Sequence, residues 1–407
     1  MPSPADDTQR AAQALRRGDP LAALSLASGR KDALGLAVRG AALAQLEEHE
    51  EAERCLRDAT RVARAASDSQ TAARAELALV EIALARRDLA GARRGLAACE
   101  GAFGRDPANA TFVAVLRARL ELLGGRTASA KAALAGRTGE SDALSTAIIR
   151  LCSAEVALAE GDVASCLTRL REARASAERS RHGFLLAEIE AGEARLRAPA
   201  ARVVRGDANR SIDVLELAAL RGVTEETILD VPRRRFRVGG RVVDLAKRPL
   251  LFRLLELLST RAPEVVPPAD LVATFGARRV NESHLANLRV EIGRLRRLLP
   301  KPLGIESSGG GYRLLINDEI VMIYALEPTG EADVEALLSD GQAWRTEEVA
   351  LALGLAKRTA QRKLGGLERA GRVVAIGKAR SRRYRSVARG TFTLLCQLSA
   401  IWAGGQR

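Results

Sequence analysis

Aromatic residues make up only 3% of the 407 residues of this sequence. Sheet-rich cores lean on aromatic and β-branched side chains, whereas Ala, Leu, Arg and Gly dominate here, a composition that favours helix. Cysteine is also sparse. Cys55, Cys99, Cys152, Cys166 and Cys396 are scattered and form no CxxC pair. That excludes a disulfide framework and a zinc ribbon and fits small buried residues in a reducing compartment. The three histidines, His49, His182 and His284, lie far apart without HExxH-type spacing, so neither a metal centre nor His-based catalysis is expected. No apolar run reaches the roughly 18 residues that a membrane helix needs. Met1, Pro2, Asp6 and Asp7 do not open a secretory signal. With no catalytic constellation left, the chain is expected to be no enzyme, to carry no cofactor, and to work in the cytoplasm away from membranes.

Hydrophobic residues, at 47%, and charged residues, at 28%, describe a folded chain rather than a disordered one. Its length suits roughly two to four domains. The net charge is +14, and only seven of the 64 basic residues are Lys. This charge is concentrated. From Arg233 to Arg313 there are 17 Lys/Arg against 7 Asp/Glu, and from Glu331 to Arg389 there are 13 against 7. The remaining residues are close to neutral, so the two C-terminal blocks are the ones suited to a polyanion.

The N-terminal half is an Ala/Leu/Arg/Glu-rich stretch broken by recurring polar turns: Arg17-Gly18-Asp19-Pro20, Glu48-His49-Glu50, Arg87-Asp88-Leu89, Gly125-Arg126-Thr127 and Gly161-Asp162-Val163. Their spacing of about 30 to 39 residues is that of helix–turn–helix repeats. The turn Gly161-Asp162-Val163-Ala164 and the small residues opening the following helix resemble tetratricopeptide-like repeats, in a degenerate form that lacks their large aromatics. The resemblance covers residues 1–200 and implies a solenoid whose groove takes a protein or peptide partner. A helical spacer or dimerisation module is the other reading of the same pattern.

Residues 201–232 read as a linker holding a short helix over Ile212–Leu220. Phe236–Leu245 alternates around Gly239-Gly240 and predicts a hairpin. Helices are expected over Pro249–Ser259, Pro267–Phe275 and Asn281–Leu299, and a second hairpin over Ile305–Leu315 with a glycine tip. Val242–Leu245, Arg294-Leu295-Arg296 and Gly309-Gly310-Gly311-Tyr312-Arg313 together resemble the OmpR/PhoB-type DNA-binding domain, over residues 233–316. That resemblance implies a winged helix-turn-helix whose third helix enters a DNA major groove. Helical spacing exposes Asn287, Arg289, Arg294 and Arg296, with Arg297 and the wing residue Arg313 beside them. Leu285, Leu288, Ile292, Leu295 and Leu299 form the buried stripe. Arginine can bond guanine bidentately or pin phosphates. The sequence departs from the family at Glu291, where His is frequent, at Ser308, where a wing Arg is frequent, and at Arg289, where an acid is frequent.

Residues 317–330 read as a connector strand and 331–389 as a second domain: a helix from Glu331 to Leu338, a second one N-capped by Thr346, a third from Lys357 to Ala370, and a basic hairpin over Arg372–Val387. The run from Glu347 to Val373, with the hairpin and Tyr384, resembles winged helices of the broad MarR/ArsR class. This resemblance would turn Lys357, Arg358, Thr359, Gln361, Arg362 and Lys363 to a groove and put Lys378, Arg380, Arg382 and Arg383 on phosphate or in the minor groove. Gly371 to Ala379 approximates a phosphate loop, but its spacing is one residue too long and Ala379 replaces the Ser/Thr. The apolar tail 390–407 reads equally as a homodimer arm or as a cover for its own domain.

The expected architecture is mainly α: a helical repeat solenoid followed by two winged helix-turn-helix domains with small β-hairpins. The expected function is recognition of promoter double-stranded DNA by a transcription regulator of bacterial type, with the repeats sensing a partner or ligand. The alternative is a protein-interaction scaffold that docks through the same modules.

Overall fold

The computed structural model describes residues 4–103, 107–137, 142–275, 281–301, 303–316, 318–326, 332–338, 343–370, 372–377 and 382–386. The protein is mainly helical with small sheets and divides into two compact units. One comprises 1–197 with 341–343 and 367–407; the other comprises 198–340 with 344–366.

Among the described residues the first unit opens with eleven helices: α1 (Pro4–Arg17), α2 (Pro20–Leu26), α3 (Ala33–Gln45), α4 (His49–Ala65), α5 (Ser69–Ala85), α6 (Leu89–Phe103), α7 (Pro107–Leu123), α8 (Thr127–Leu134), α9 (Ala143–Glu160), α10 (Val163–Ser180) and α11 (Gly183–Leu196). Aspartates write the punctuation. Asp19, Asp32, Asp68, Asp88, Asp142 and Asp162 each accept the N–H three residues ahead at 2.8–3.0 Å. Each satisfies a donor that the first helical turn would otherwise leave orphaned. Several of the preceding helices end on a residue with positive φ, such as Gly161 at +81°, which reverses the chain in two or three residues.

The odd-numbered helices form an inner layer. Helices α1, α3, α5 and α7 each pack against the next odd helix as well as their sequence neighbours, while the even helices pack on their neighbours in the chain. Accordingly α3, α5 and α9 are buried around most of their circumference by Ala, Leu, Val and Ile. Helix α1 also packs against α11. The closure depends on small residues: a β-carbon on Gly183 would stand 2.6 Å from the Arg17 carbonyl oxygen.

The second unit contains β1 (Pro199–Arg205), β2 (Ala208–Asp213), α12 (Val214–Gly222), β3 (Thr227–Asp230), β4 (Arg235–Val238), β5 (Arg241–Asp244), α13 (Pro249–Thr260), α14 (Pro268–Ala273), α15 (Glu282–Leu298), β6 (Gly304–Ser308), β7 (Gly311–Leu315) and β8 (Ile320–Tyr324). The sheet order is β2-β1-β8-β3-β4-β5, with β8 parallel to β3 and the other pairings antiparallel. Two segments differ from expectation. The stretch 201–232 is no linker, because it supplies three paired strands and α12. Ile320–Tyr324 is a strand as expected, but an interior one, buried along Ile320–Ile323, which is why four consecutive apolar residues occur there. The short helix starts at Val214, not Ile212, because Asp213 caps it: the Asp213 carboxylate accepts the Glu216 N–H at 2.7 Å, and Glu216 accepts the Asp213 N–H at 3.3 Å.

Leu229, Phe236, Leu254, Leu255, Leu258, Leu271, Leu288, Ile292, Leu295, Leu314 and Met322 meet in one core that joins the sheet to α13, α14 and α15. On α13, Leu250 is only half-buried while Leu251 is buried. Beyond β8 come α16 (Ala332–Leu338), α17 (Thr346–Ala352), α18 (Lys357–Arg369), β9 (Val373–Ile376) and β10 (Arg383–Ser386). The N-cap of α17 is Arg345, one residue before the expected Thr346; its N–H donates to Glu348 Oε2 at 2.7 Å. Trp344 is buried under the Arg233 guanidinium, 4.5 Å from the ring centre.

Candidate nucleic-acid interface

Helix α15 stands on the core through Leu288, Ile292, Leu295 and, just past its end, Leu299, with Leu285 half-buried beside them. Asn281 caps it by accepting the His284 N–H at 2.8 Å. Glu282 in the first turn and Arg296 and Arg297 in the last suit the helix dipole. At 100° per residue the opposite side divides into three rows. Asn287 and Arg294 lie two turns apart on one flank, Arg289 and Arg296 on the other, and Val290 and Arg297 on the crest between them. All six are exposed, and Val290 remains 52% accessible although it is an aliphatic side chain.

These arginines are not equivalent. Arg296 donates from Nε to the Ile305 carbonyl at 2.8 Å and from Nη2 to Ser307 Oγ at 2.9 Å, pinning α15 to strand β6. Arg294 pairs with Glu291 at 2.6 Å, and Arg313 pairs across the hairpin with Glu306 at 2.6 Å. Arg297 bends back to the Gly293 carbonyl at 3.2 Å. Arg289 and Asn287 have no side-chain partner among the described residues. The sequence pattern brings all these groups to one helix and one hairpin. Geometry then separates a tether (Arg296) from side chains with donors to spare (Arg289, Arg297, Asn287).

The hairpin β6–β7 closes with Ser308 opposite Gly311 and a two-residue Gly309-Gly310 loop at φ +57° and +82°, the conformation that hairpin twist demands and glycine supplies. Val266 pairs with Tyr312 through both backbone bonds, at 2.8 and 3.0 Å, and this fastens the hairpin to the segment before α14. The two residues that fasten Arg296 and Arg313, Ser307 and Glu306, had not been singled out in the sequence. The strand register alone, set by the Gly-Gly loop, would have found Glu306 opposite Arg313.

In the C-terminal block, Ala360, Leu364 and Leu367 of α18 are buried. Arg358, Gln361 and Arg362 are exposed, while Thr359 and Lys363 are half-buried. Lys357 pairs with Glu347 at 2.6 Å and thereby holds that carboxyl below its usual range. Arg382 grips both carboxylate oxygens of Glu368, at 2.8 and 2.7 Å, and lies over the Tyr384 ring; Arg383 is exposed. Lys378, Arg380 and the tail 390–407 lie outside the described residues.

Neither the family models nor the curated proteins yield a match to this chain. Among solved structures, the DIP2311 protein from Corynebacterium diphtheriae is similar at 14% identity, over 66% of this chain and 54% of that one, with a TM-score of 0.16.

Proposed function

We propose that this chain is a DNA-binding transcription regulator, with α15 as its reading helix, the β6–β7 hairpin as a wing, and the helical array as the part that receives a signal. The observation that carries the proposal is the exposed face of α15, where Asn287, Arg289, Arg294 and Arg297 surround an exposed Val290 within the block of 17 basic against 7 acidic residues. Phosphates would be captured first, with counterion release. Arg289 and Arg297 have N–H donors free to bond guanine edges, Asn287 suits adenine, and Val290 suits a thymine methyl. In this reading α18, through Arg358, Gln361 and Arg362, adds a second contact.

The test is binding of the full chain to a fluorescent duplex from its own promoter region, across a salt series and against unrelated duplex. Tight, salt-sensitive binding over competitor is expected. Arg289→Ala or Arg297→Ala should each weaken it by about 1–3 kcal/mol if a base is read, or lower the salt slope by about 1 if a phosphate is held. Equal binding to any duplex would leave an architectural protein.

A second reading has its own support. Arg294, Arg296, Arg313 and Arg382 all spend donors inside the protein, as side chains of a protein-docking scaffold would. In that case no duplex binds at low salt.

A further inference from the structure

Within the first unit, a cavity of about 540 Å³ opens where the α7–α8 turn, the end of α9 and strands β9 and β10 meet. Its walls include Arg126, Thr127, Ser129, Glu160, Ile376 and Arg385. Arg385 is 7% exposed. Its Nη1 donates to Thr127 Oγ1 at 3.1 Å and to the Ala159 carbonyl at 2.8 Å. Both acceptors are neutral, and the Nε and Nη2 donors have no partner among the described residues. A buried guanidinium is tolerated when an anion compensates it, and no described carboxylate does so. Burial pushes its pKa down with no neighbouring charge to restore it. The one acid on the cavity wall, Glu160, is bound through both oxygens to Lys131 at 3.1 Å.

The same wall carries the first turn of α8. Its N-cap residue is Arg126, whose side chain offers no acceptor and instead pairs with Glu121. The N–H groups of Thr127, Ala128 and Ser129 therefore lack the side-chain cap that Asp162 gives α10. Uncapped N–H groups at a helix start and a charge-unpaired arginine face one space, and the two features are complementary to the same thing.

We propose that this cavity binds a small molecule through a phosphate-like oxyanion, held by Arg385 and the first-turn N–H groups of α8. The volume exceeds a bare phosphate and is within the range of small-molecule sites. Hairpin β9–β10 supplies Arg385 and Ile376 while the helical array supplies Gly125 to Ser129, Ala159 and Glu160, so an occupant would cross-link the two.

The test uses the full chain with inorganic phosphate, then pyrophosphate, followed by calorimetry and by the midpoint of thermal unfolding. Saturable binding that raises the midpoint is expected, with affinity falling tenfold or more in Arg385→Gln. Because that variant also loses two hydrogen bonds, a second one separates binding from folding. Arg126→Asp gives α8 its own carboxylate cap beside Arg385, so it should keep or raise the unliganded midpoint while phosphate affinity drops tenfold or more. Absence of binding at millimolar anion overturns the proposal, as does unchanged affinity in Arg126→Asp. Competition with a short duplex is the last check: displacement of phosphate would assign the oxyanion to a nucleic-acid backbone and overturn the small-molecule proposal, and no displacement supports it.

Discussion

Four of the inner helices of the array converge on buried charge: Glu81 from α5, Arg119 from α7, Glu155 from α9, and Glu188 and Arg195 from α11. Glu155 accepts from Arg119 Nη2 at 3.2 Å, with both side chains about nine-tenths buried. Burial raises the Glu155 carboxyl from 4.5 to about 7, a rise that Arg119 and Arg195 oppose and only partly offset. An acid that titrates near 7 when folded and near 4.5 when unfolded costs the folded state stability as pH rises. Between those values the unfolded chain releases its proton first, so stability falls with pH, at up to about 1.4 kcal/mol per pH unit. The loss is complete above pH 7 and amounts to roughly 3 kcal/mol for this one group. Burial shifts Glu81 and Glu188 the same way. Asp162 acts in the opposite sense at lower pH: the Ser165 side chain and N–H hold its carboxyl below 3.8, so its cap is lost as pH falls through that depressed value. The array should therefore be most stable near pH 4, between the two windows. Hydrogen exchange of peptides from α7 and α9, corrected for intrinsic rates, measures this unit apart from the other. Protection should fall from pH 5 to 7.5, and fall less steeply in Glu155→Gln. Protection that is flat or rises over that window, or an equal slope in the variant, would show that the buried carboxyls do not set this pH dependence.

Arg296→Ala removes the two bonds from α15 to β6 and should loosen the hairpin by about 1–3 kcal/mol. Arg297→Ala should leave stability within roughly 0.5 kcal/mol, so chemical denaturation of the pair separates tether from surface. Gly311→Ala would put a β-carbon 2.5 Å from the Val266 carbonyl oxygen and break the Val266–Tyr312 pair. A loss of about 2–3 kcal/mol is expected, and hydrogen exchange at Tyr312 would report it. Gly183→Ala pushes α11 off the end of α1 at the Arg17 carbonyl. Faster proteolysis within α1, with α5 to α9 unchanged, is the expected result.

Much of this molecule was legible because local rules and tertiary packing agree. The Asp-containing turns marked helix starts at Pro20, Leu89 and Val163, since an aspartate cap acts through its own backbone neighbours. Gly239-Gly240 and Gly309-Gly310 marked two hairpins, since a two-residue loop of that hand needs positive φ at both positions. The illegible parts depend on long-range pairing. Nothing near Arg202 or Ile228 in the chain says that Ile320–Tyr324 will lie between β1 and β3. The only clue was that strand's own unbroken apolar run, which signals burial on both faces but names no neighbour. The closure of α1 on α11 and the burial of Arg385 were equally silent, because each depends on residues far away in sequence.

The separation of charge from recognition follows the same division. An excess of 17 basic over 7 acidic residues between Arg233 and Arg313 already includes Glu291 and Glu306, so their pairing with Arg294 and Arg313 takes nothing from the net charge of the block. Composition alone therefore sets the long-range field that would draw a polyanion to this surface. It does not say which guanidiniums keep donors for a base edge. That depends on strand register and helix phase, which commit Arg296 to Ile305 and Ser307 and leave Arg289 on the same flank without a partner among the described residues. If the reading of α15 is right, Arg289→Ala will change which duplex is chosen, whereas Arg296→Ala will change how firmly the hairpin is held. A variant set in which the two behave alike would show that the charge, and not the geometry, does the binding.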